Sequence, residues 1–143
     1  FMPITIRFAQ PKDAPQLLRL NEAFNGPGDQ TPEGIRAALE APGPEQVFVA
    51  EAEESGALIG FCCCLLKRSF CYQEPSGEIT EFFVEPAWRR QGAGRALLAF
   101  AVRFCESQRV SELTLLTGDD NFTAQAFYKS LGFSPTGELH MAL

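Results

Sequence analysis

A chain of 143 residues, 45% apolar and holding thirteen Phe, has the length of one ordinary domain and enough apolar material to bury a core without staples. Its net charge of −6 with dispersed Lys and Arg argues against a nucleic-acid footprint, and no apolar run approaches the ~18 residues of a membrane span. Five Cys, at 62, 63, 64, 71 and 105, form no Cys-x-x-Cys pair and meet a single His, His140, so no metal set is expected.

The Cys62-Cys63-Cys64 run lies among apolar residues, where Cys acts as a small hydrophobe; reduced structural thiols point to a cytoplasmic setting. Pro3 and Arg7 interrupt the beginning, so no signal peptide is expected, and Phe1, ahead of Met2, is left out of the reading. The acidic balance favours approach of a cationic substrate.

In chain order, 4–8 alternates and predicts a strand. Residues 13–24 predict a helix through Leu17, Leu18, Leu20 and Phe24, with Asp13 as cap. A turn-rich break at 25–29 precedes a short helix opened by Thr31-Pro32, carrying Ile35, Ala38 and Leu39, and closed before Pro42. Segments 46–51 and 58–66 predict an antiparallel hairpin, 67–77 a loop, and 79–84 a further strand ended by Pro86. An amphipathic helix over 94–108, a strand over 112–116 and a helix over 122–131 follow. From Phe133 a strand-forming tail runs on, interrupted at Pro135. The order β-α-α-β-β-β-α-β-α-β predicts one α/β domain over 1–143, a mixed sheet with helices on both faces.

The stretch Phe82-Phe83-Val84-Glu85-Pro86-Ala87-Trp88-Arg89-Arg90-Gln91-Gly92-Ala93-Gly94-Arg95-Ala96-Leu97-Leu98 carries the chemistry. A strand ends, a tight loop turns, and a helix opens on glycines that let the backbone approach a ligand. Unpaired amides at the helix start and three nearby Arg suit a diphosphate. A Walker loop needs Gly-Lys-Ser/Thr and finds Gly-Arg-Ala; a dinucleotide fingerprint needs a small residue at 97 and finds Leu97.

Arg89-x-x-Gly92-x-Gly94, preceded by Val-x-Pro and followed by Ala-Leu-Leu, instead resembles the acetyl-CoA motif of GNAT acetyltransferases. A second block, Asn121-Phe122-Thr123-Ala124-Gln125-Ala126-Phe127-Tyr128-Lys129-Ser130-Leu131-Gly132-Phe133, resembles that family's later motif. Residue-level resemblance covers 79–133; the first half rests on element order. The resemblance implies a mostly antiparallel sheet of six to seven strands, flanked by four helices and splayed in the middle to admit acetyl-CoA.

It further implies direct transfer of an acetyl group to a primary amine in a ternary complex, without a metal. The strand residues Phe82, Phe83 and Val84 would lie against the pantetheine arm, with backbone groups of Phe82 and Val84 meeting its amides. The loop Arg89, Arg90, Gln91, Gly92, Ala93, Gly94 and Arg95 would hold the pyrophosphate, and Asn121 and Tyr128 would reach the cofactor from the later helix. An alkyl amine of pKa about 10 costs about 4 kcal/mol to deprotonate at pH 7, so a base is needed. Glu78 and Glu81 flank the fourth strand; three apart, they are expected on opposite faces, and Glu81 is preferred because it sits in an apolar strand. Tyr128, still protonated at neutral pH, would donate to the departing thiolate.

Phe24, Phe70 and Tyr72, with Glu22, Asp29 or Glu74, are candidates for the acceptor wall. A small-molecule amine is favoured over a protein, with no nucleic acid or membrane as partner; dimers are common in that family, so a homodimer stays open. The competing readings are an acyl-CoA-binding sensor on the same fold and an interaction module whose glycine loop is only a turn.

Overall fold

The computed structural model describes residues 3–41 and 43–143; Phe1, Met2 and Pro42, the last read above as a helix stop, lie outside the described residues. Five strands form one sheet in the order β1-β2-β3-β4-β5: β1 Ile4–Phe8, β2 Glu45–Ala52, β3 Leu58–Lys67, β4 Ser76–Val84 and β5 Leu113–Leu115. The first four are antiparallel neighbours and β5 is parallel to β4. Helices α1 Ala14–Asn25, α2 Pro32–Glu40, α3 Ala93–Ser107 and α4 Phe122–Ser130 complete the fold, with short 3-10 turns at Pro11–Asp13 and Pro86–Trp88.

Two differences from the expected pattern have physical causes. The sheet has five strands, not six to seven, because the tail from Phe133 carries no regular secondary structure: Pro135 lacks a donor and Gly137 turns to φ 78°. The fourth strand begins at Ser76 and not at 79, because Ser76 and Gly77 pair with Lys67 and Leu66 despite their weak strand preference.

The sheet buries both faces. Toward α3 point Phe48, Ala50, Cys62, Cys64, Ile79 and Val84, which meet Leu97, Leu98, Ala101 and Cys105 at helical spacing. Phe8, Phe48, Phe100 and Phe104 close this layer with edge-on and tilted ring contacts 5.2–5.8 Å apart. Toward α1 and α2 point Val49, Leu58, Phe61, Cys63 and Phe83, covered by Leu17, Leu20, Ile35 and Leu39. The three consecutive Cys therefore alternate between the two cores as strand residues should, and burial pushes the Cys62 thiol up to about 12.

Among the described residues one charged side chain is buried. Asp13 does not cap α1 by its side chain; it accepts from the Gln10 amide at 2.7 Å and forms a two-pronged pair with Arg7 at 2.8 and 2.9 Å. Arg7 also reaches Glu51 at 2.9 Å, so one guanidinium ties β1, β2 and the start of α1 together. Burial works to raise the Asp13 carboxyl, but the bonds from Arg7 and Gln10 outweigh it and hold the carboxyl below its ordinary range.

A folded-state pKa below the unfolded one contributes stability that is complete above pH ~4 and withdrawn as pH falls further. Arg7→Met is expected to cost about 3–5 kcal/mol, since it leaves Asp13 charged and unpaired in the core. Urea unfolding at pH 7 and pH 3 checks both: the loss is expected to be large at pH 7 and smaller at pH 3.

Candidate active site

Strand β4 and the loop behind it build the site. The pairing of β4 with β5 covers only Gly77, Glu78 and Ile79, opposite Leu113, Thr114 and Leu115. From Thr80 to Val84 the strand keeps its partner β3 and has none on the other side among the described residues. A bulge opens this stretch: Cys64 lies opposite Ile79 and Cys63 opposite Glu81, leaving Thr80 extra. Glu85 donates to Ile59 O at 2.9 Å, so alternation turns the backbone groups of Phe82 and Val84 toward the open side. The backbone of Phe83 points to β3 instead. Val84 O is met by Arg89 Nε at 2.9 Å.

The bulge also corrects an expectation about the carboxylates. Glu81 stands opposite Cys63 and Glu78 opposite Leu65, two positions further along β3, so both side chains lie on the α1/α2 face rather than on opposite faces. They differ in company. Glu78 pairs with Lys67 at 3.1 Å. Glu81 has no ion-pair partner among the described residues; partial desolvation, and then the neighbouring charge of Glu45, raise its carboxyl above the ordinary range. Glu45 was not singled out in the sequence, because its proximity depends on β2, β3 and β4 lying side by side.

The loop turns into α3 through Gly92, which adopts φ 89° as the residue before the helix. A Cβ there would meet nothing within 4 Å, so the space beside it is open. The first intrahelical bond runs from the Ala96 amide to Gly92 O at 2.9 Å, and no side chain caps the start. The amides of Ala93, Gly94 and Arg95 thus stand at the positive end of a fifteen-residue helix, ready for an anion. Arg90, at φ 63°, and Arg95 are exposed beside them. Arg89 is committed elsewhere, its guanidinium 5.8 Å from the Phe83 ring centroid and bonded to the strand end.

Gly94 has a different task. A Cβ at this position would sit 3.3 Å from Phe82 Cζ and 3.4 Å from Phe127 Cζ, so glycine lets the first turn of α3 close on those rings. Phe82 and Phe127 stack at 6.0 Å, and Tyr128 stands edge-on to Phe82 at 6.2 Å. The open edge of β4, the helix start and Tyr128 therefore converge. Burial, and then the neighbouring Cys62, push the Tyr128 phenol above its ordinary value, so it stays protonated at neutral pH. Asn121 caps α4, accepting from the Ala124 amide at 3.2 Å.

The acceptor-wall candidates are not brought together. Phe24, half exposed, joins Phe61 and Phe83, with ring centroids 6.1 and 5.2 Å away. Phe70 and Tyr72 stand in solvent on the β3–β4 loop, and Glu74 pairs with Arg109 at 3.6 Å. A cavity of about 1150 Å³ lies away from the glycine loop, beyond Tyr128, between α3, β5, α4 and the tail. Among the described residues no helix is long and apolar enough to cross a membrane, and no cluster of His, Cys, Asp or Glu suits a metal.

The acetyltransferase (GNAT) family matches residues 14–133. The chain is 34% identical over 87 residues to N-acetyltransferase family 8 member 3 of Rattus norvegicus, covering 61% of this chain and 38% of that one. It is 29% identical over 135 residues to aminoglycoside N(6')-acetyltransferase type 1 of Stenotrophomonas maltophilia, covering 92% and 87%. The chain spans half or less of the length of the first curated relatives it matches. Among solved structures, AAC(6')-Iy in complex with a bisubstrate analogue of CoA and acetylneamine shares the fold with a TM-score of 0.84, at 22% identity over 99% of this chain and 97% of that one.

Glu45→Gln removes a negative neighbour and so favours the ionised form of Glu81. Its carboxyl titration, followed by NMR, is expected to move to lower pH; an unchanged midpoint would place Glu45 outside electrostatic reach.

Proposed function

Because the chain belongs to the acetyltransferase (GNAT) family, we propose that it binds acetyl-CoA in the split between β4 and β5 and transfers the acetyl group to a small cationic amine. The observation that carries this reading is the coincidence of a strand edge without a partner strand at Phe82 and Val84 with uncapped helix amides at Ala93, Gly94 and Arg95. One set of donors and acceptors suits the amides of a pantetheine arm and the other a diphosphate. Acetyl-CoA supplies an activated acyl thioester; no other chemistry is asked of it.

The residues divide by face. Tyr128 packs with Phe82 on the α3 side of β4, whereas Glu81 stands on the α1/α2 side. The thioester would thus meet a proton donor from one face and the amine, with its base, from the other. Tyr128, held protonated, gives its proton to the departing sulfur. Glu81, whose raised pKa brings it nearer neutrality, takes a proton from the substrate ammonium directly or through water and so frees the amine lone pair that attacks the thioester. Glu81 and Glu45 also give this face a negative field that attracts a cation, and Phe24 and Phe83 offer apolar surface alongside. The aminoglycoside acetyltransferase relative supports a small polycationic acceptor.

A base with a raised pKa places the acidic limb of kcat/KM above the ordinary carboxylate range. Thiol release with a panel of amines is expected to identify an acceptor, with Tyr128→Phe and Glu81→Gln each lowering kcat by roughly 10²-fold while calorimetric binding of acetyl-CoA is kept. Binding without turnover of any amine would favour the sensor; absence of binding at micromolar concentration would favour the interaction module.

A further inference from the structure

Two buried thiols meet in the core beneath α3. Cys64 of β3 and Cys105 in the last turn of α3 are 41 residues apart in the chain, yet their Sγ atoms stand 3.7 Å apart. Strand alternation selects the partner: Cys62 and Cys64 belong to the layer that α3 covers, whereas Cys63 belongs to the opposite one. Cys71 stands exposed on the β3–β4 loop.

Buried thiols without access are inert, but this pair has access from one side. The cavity of about 1150 Å³ reaches Cys105, which lines it together with Val102, Val110 and Leu113, and does not reach Cys64. Glu106 and Lys129 also line it and are exposed, so it communicates with solvent. A small neutral oxidant therefore meets one sulfur and not the other. The bond from Cys64 holds the Cys105 thiol below its ordinary range against the opposing effect of burial, and the same bond, with burial, raises Cys64. A reachable sulfur that ionises first, backed by a second sulfur in contact, has the layout of an attacked and a resolving cysteine.

We propose that Cys105 and Cys64 form a site for oxidation by hydroperoxides, closing to a disulfide between α3 and β3. The Cys105 thiolate attacks the terminal oxygen of the hydroperoxide; the O–O bond breaks, a sulfenic acid forms, and the departing alkoxide or hydroxide takes up a proton. The Cys64 sulfur then displaces the sulfenic oxygen, which leaves as water with the Cys64 thiol proton. The two thiols give up two electrons in all, and these reduce the peroxide. Closure brings the sulfurs to about 2.05 Å, a gap that rotation of the two side chains closes. A Cβ on Gly77 would stand 3.5 Å from Cys105 Sγ, and Cys64 lies opposite Ile79. The cross-link thus ties α3 to the sheet beside residues 77–79, the stretch of β4 that pairs with β5, whatever the glycine loop binds.

Peptide mapping without reductant, after the folded chain has been treated with hydrogen peroxide, tests this. One cross-link within the chain is expected, joining Cys105 to Cys64 as located by fragmentation and lost on adding dithiothreitol. In Cys64→Ala the Cys105 sulfenic acid has no partner, so it is expected to persist and be captured by dimedone. Cys62→Ala is expected to cross-link as the unaltered chain does. A link from Cys105 to Cys62, oxidation confined to the exposed Cys71, or no dimedone adduct at Cys105 in Cys64→Ala would overturn the proposal. Should either variant fail to fold, the map of the unaltered chain decides: a link between Cys64 and Cys105 supports the proposal and its absence overturns it.

Discussion

The structure depends on a strand that loses one neighbour halfway along. Strand β4 pairs with β3 over its whole length but with β5 only as far as Ile79. Buried backbone groups left without partners cost about as much as a lost hydrogen bond each, so a sheet does not open its middle without compensation. Here the opening is short, begins at a bulge, and faces a helix start that is itself uncapped. The Phe82 backbone groups and the Val84 amide thus lie without a partner strand near the uncapped amides that open α3.

Packing holds the cleft in shape. On one side Phe82 stacks on Phe127 and meets Tyr128, and Gly94 lets α3 approach those rings within ordinary contact. On the other, Phe83 packs on Phe61 and Phe24 beneath α1. Adjacent residues of one strand anchor opposite cores, so the backbone between them cannot turn without disturbing both. Arg89 adds a clasp by bonding Val84 O, and Arg19 of α1 pairs with Glu85 and reaches Leu58 O. The rigidity lies in this packing, while the amides of Phe82, Val84, Ala93, Gly94 and Arg95 keep no partner among the described residues.

Much of this was legible in the sequence, for reasons that differ by region. The glycine loop could be read because Gly92 and Gly94 serve functions that only a residue without a side chain can serve, and their spacing records that. Helices α1, α3 and α4 announced themselves through apolar periodicity. The bulge at Thr80 could not be read, since neither Thr80 nor Glu81 carries a signature for an extra residue, and a one-residue slip reverses every face assignment beyond it. Glu78 and Glu81 were therefore expected on opposite faces and share one. Glu45 escaped because its nearness to Glu81 is a product of register across three strands. The tail from Phe133 read as strand-forming, but Pro135 and the turn at Gly137 leave it without regular secondary structure.

On the proposed function, the open edge of β4 and the start of α3 receive one ligand together. Amide hydrogen exchange of the chain with and without acetyl-CoA tests it at the groups concerned. Slowed exchange is expected at Phe82, Val84, Ala93, Gly94 and Arg95, with the Phe83 amide, already turned to β3, unchanged. Binding that protects other amides and leaves Phe82 and Val84 as they were would contradict it.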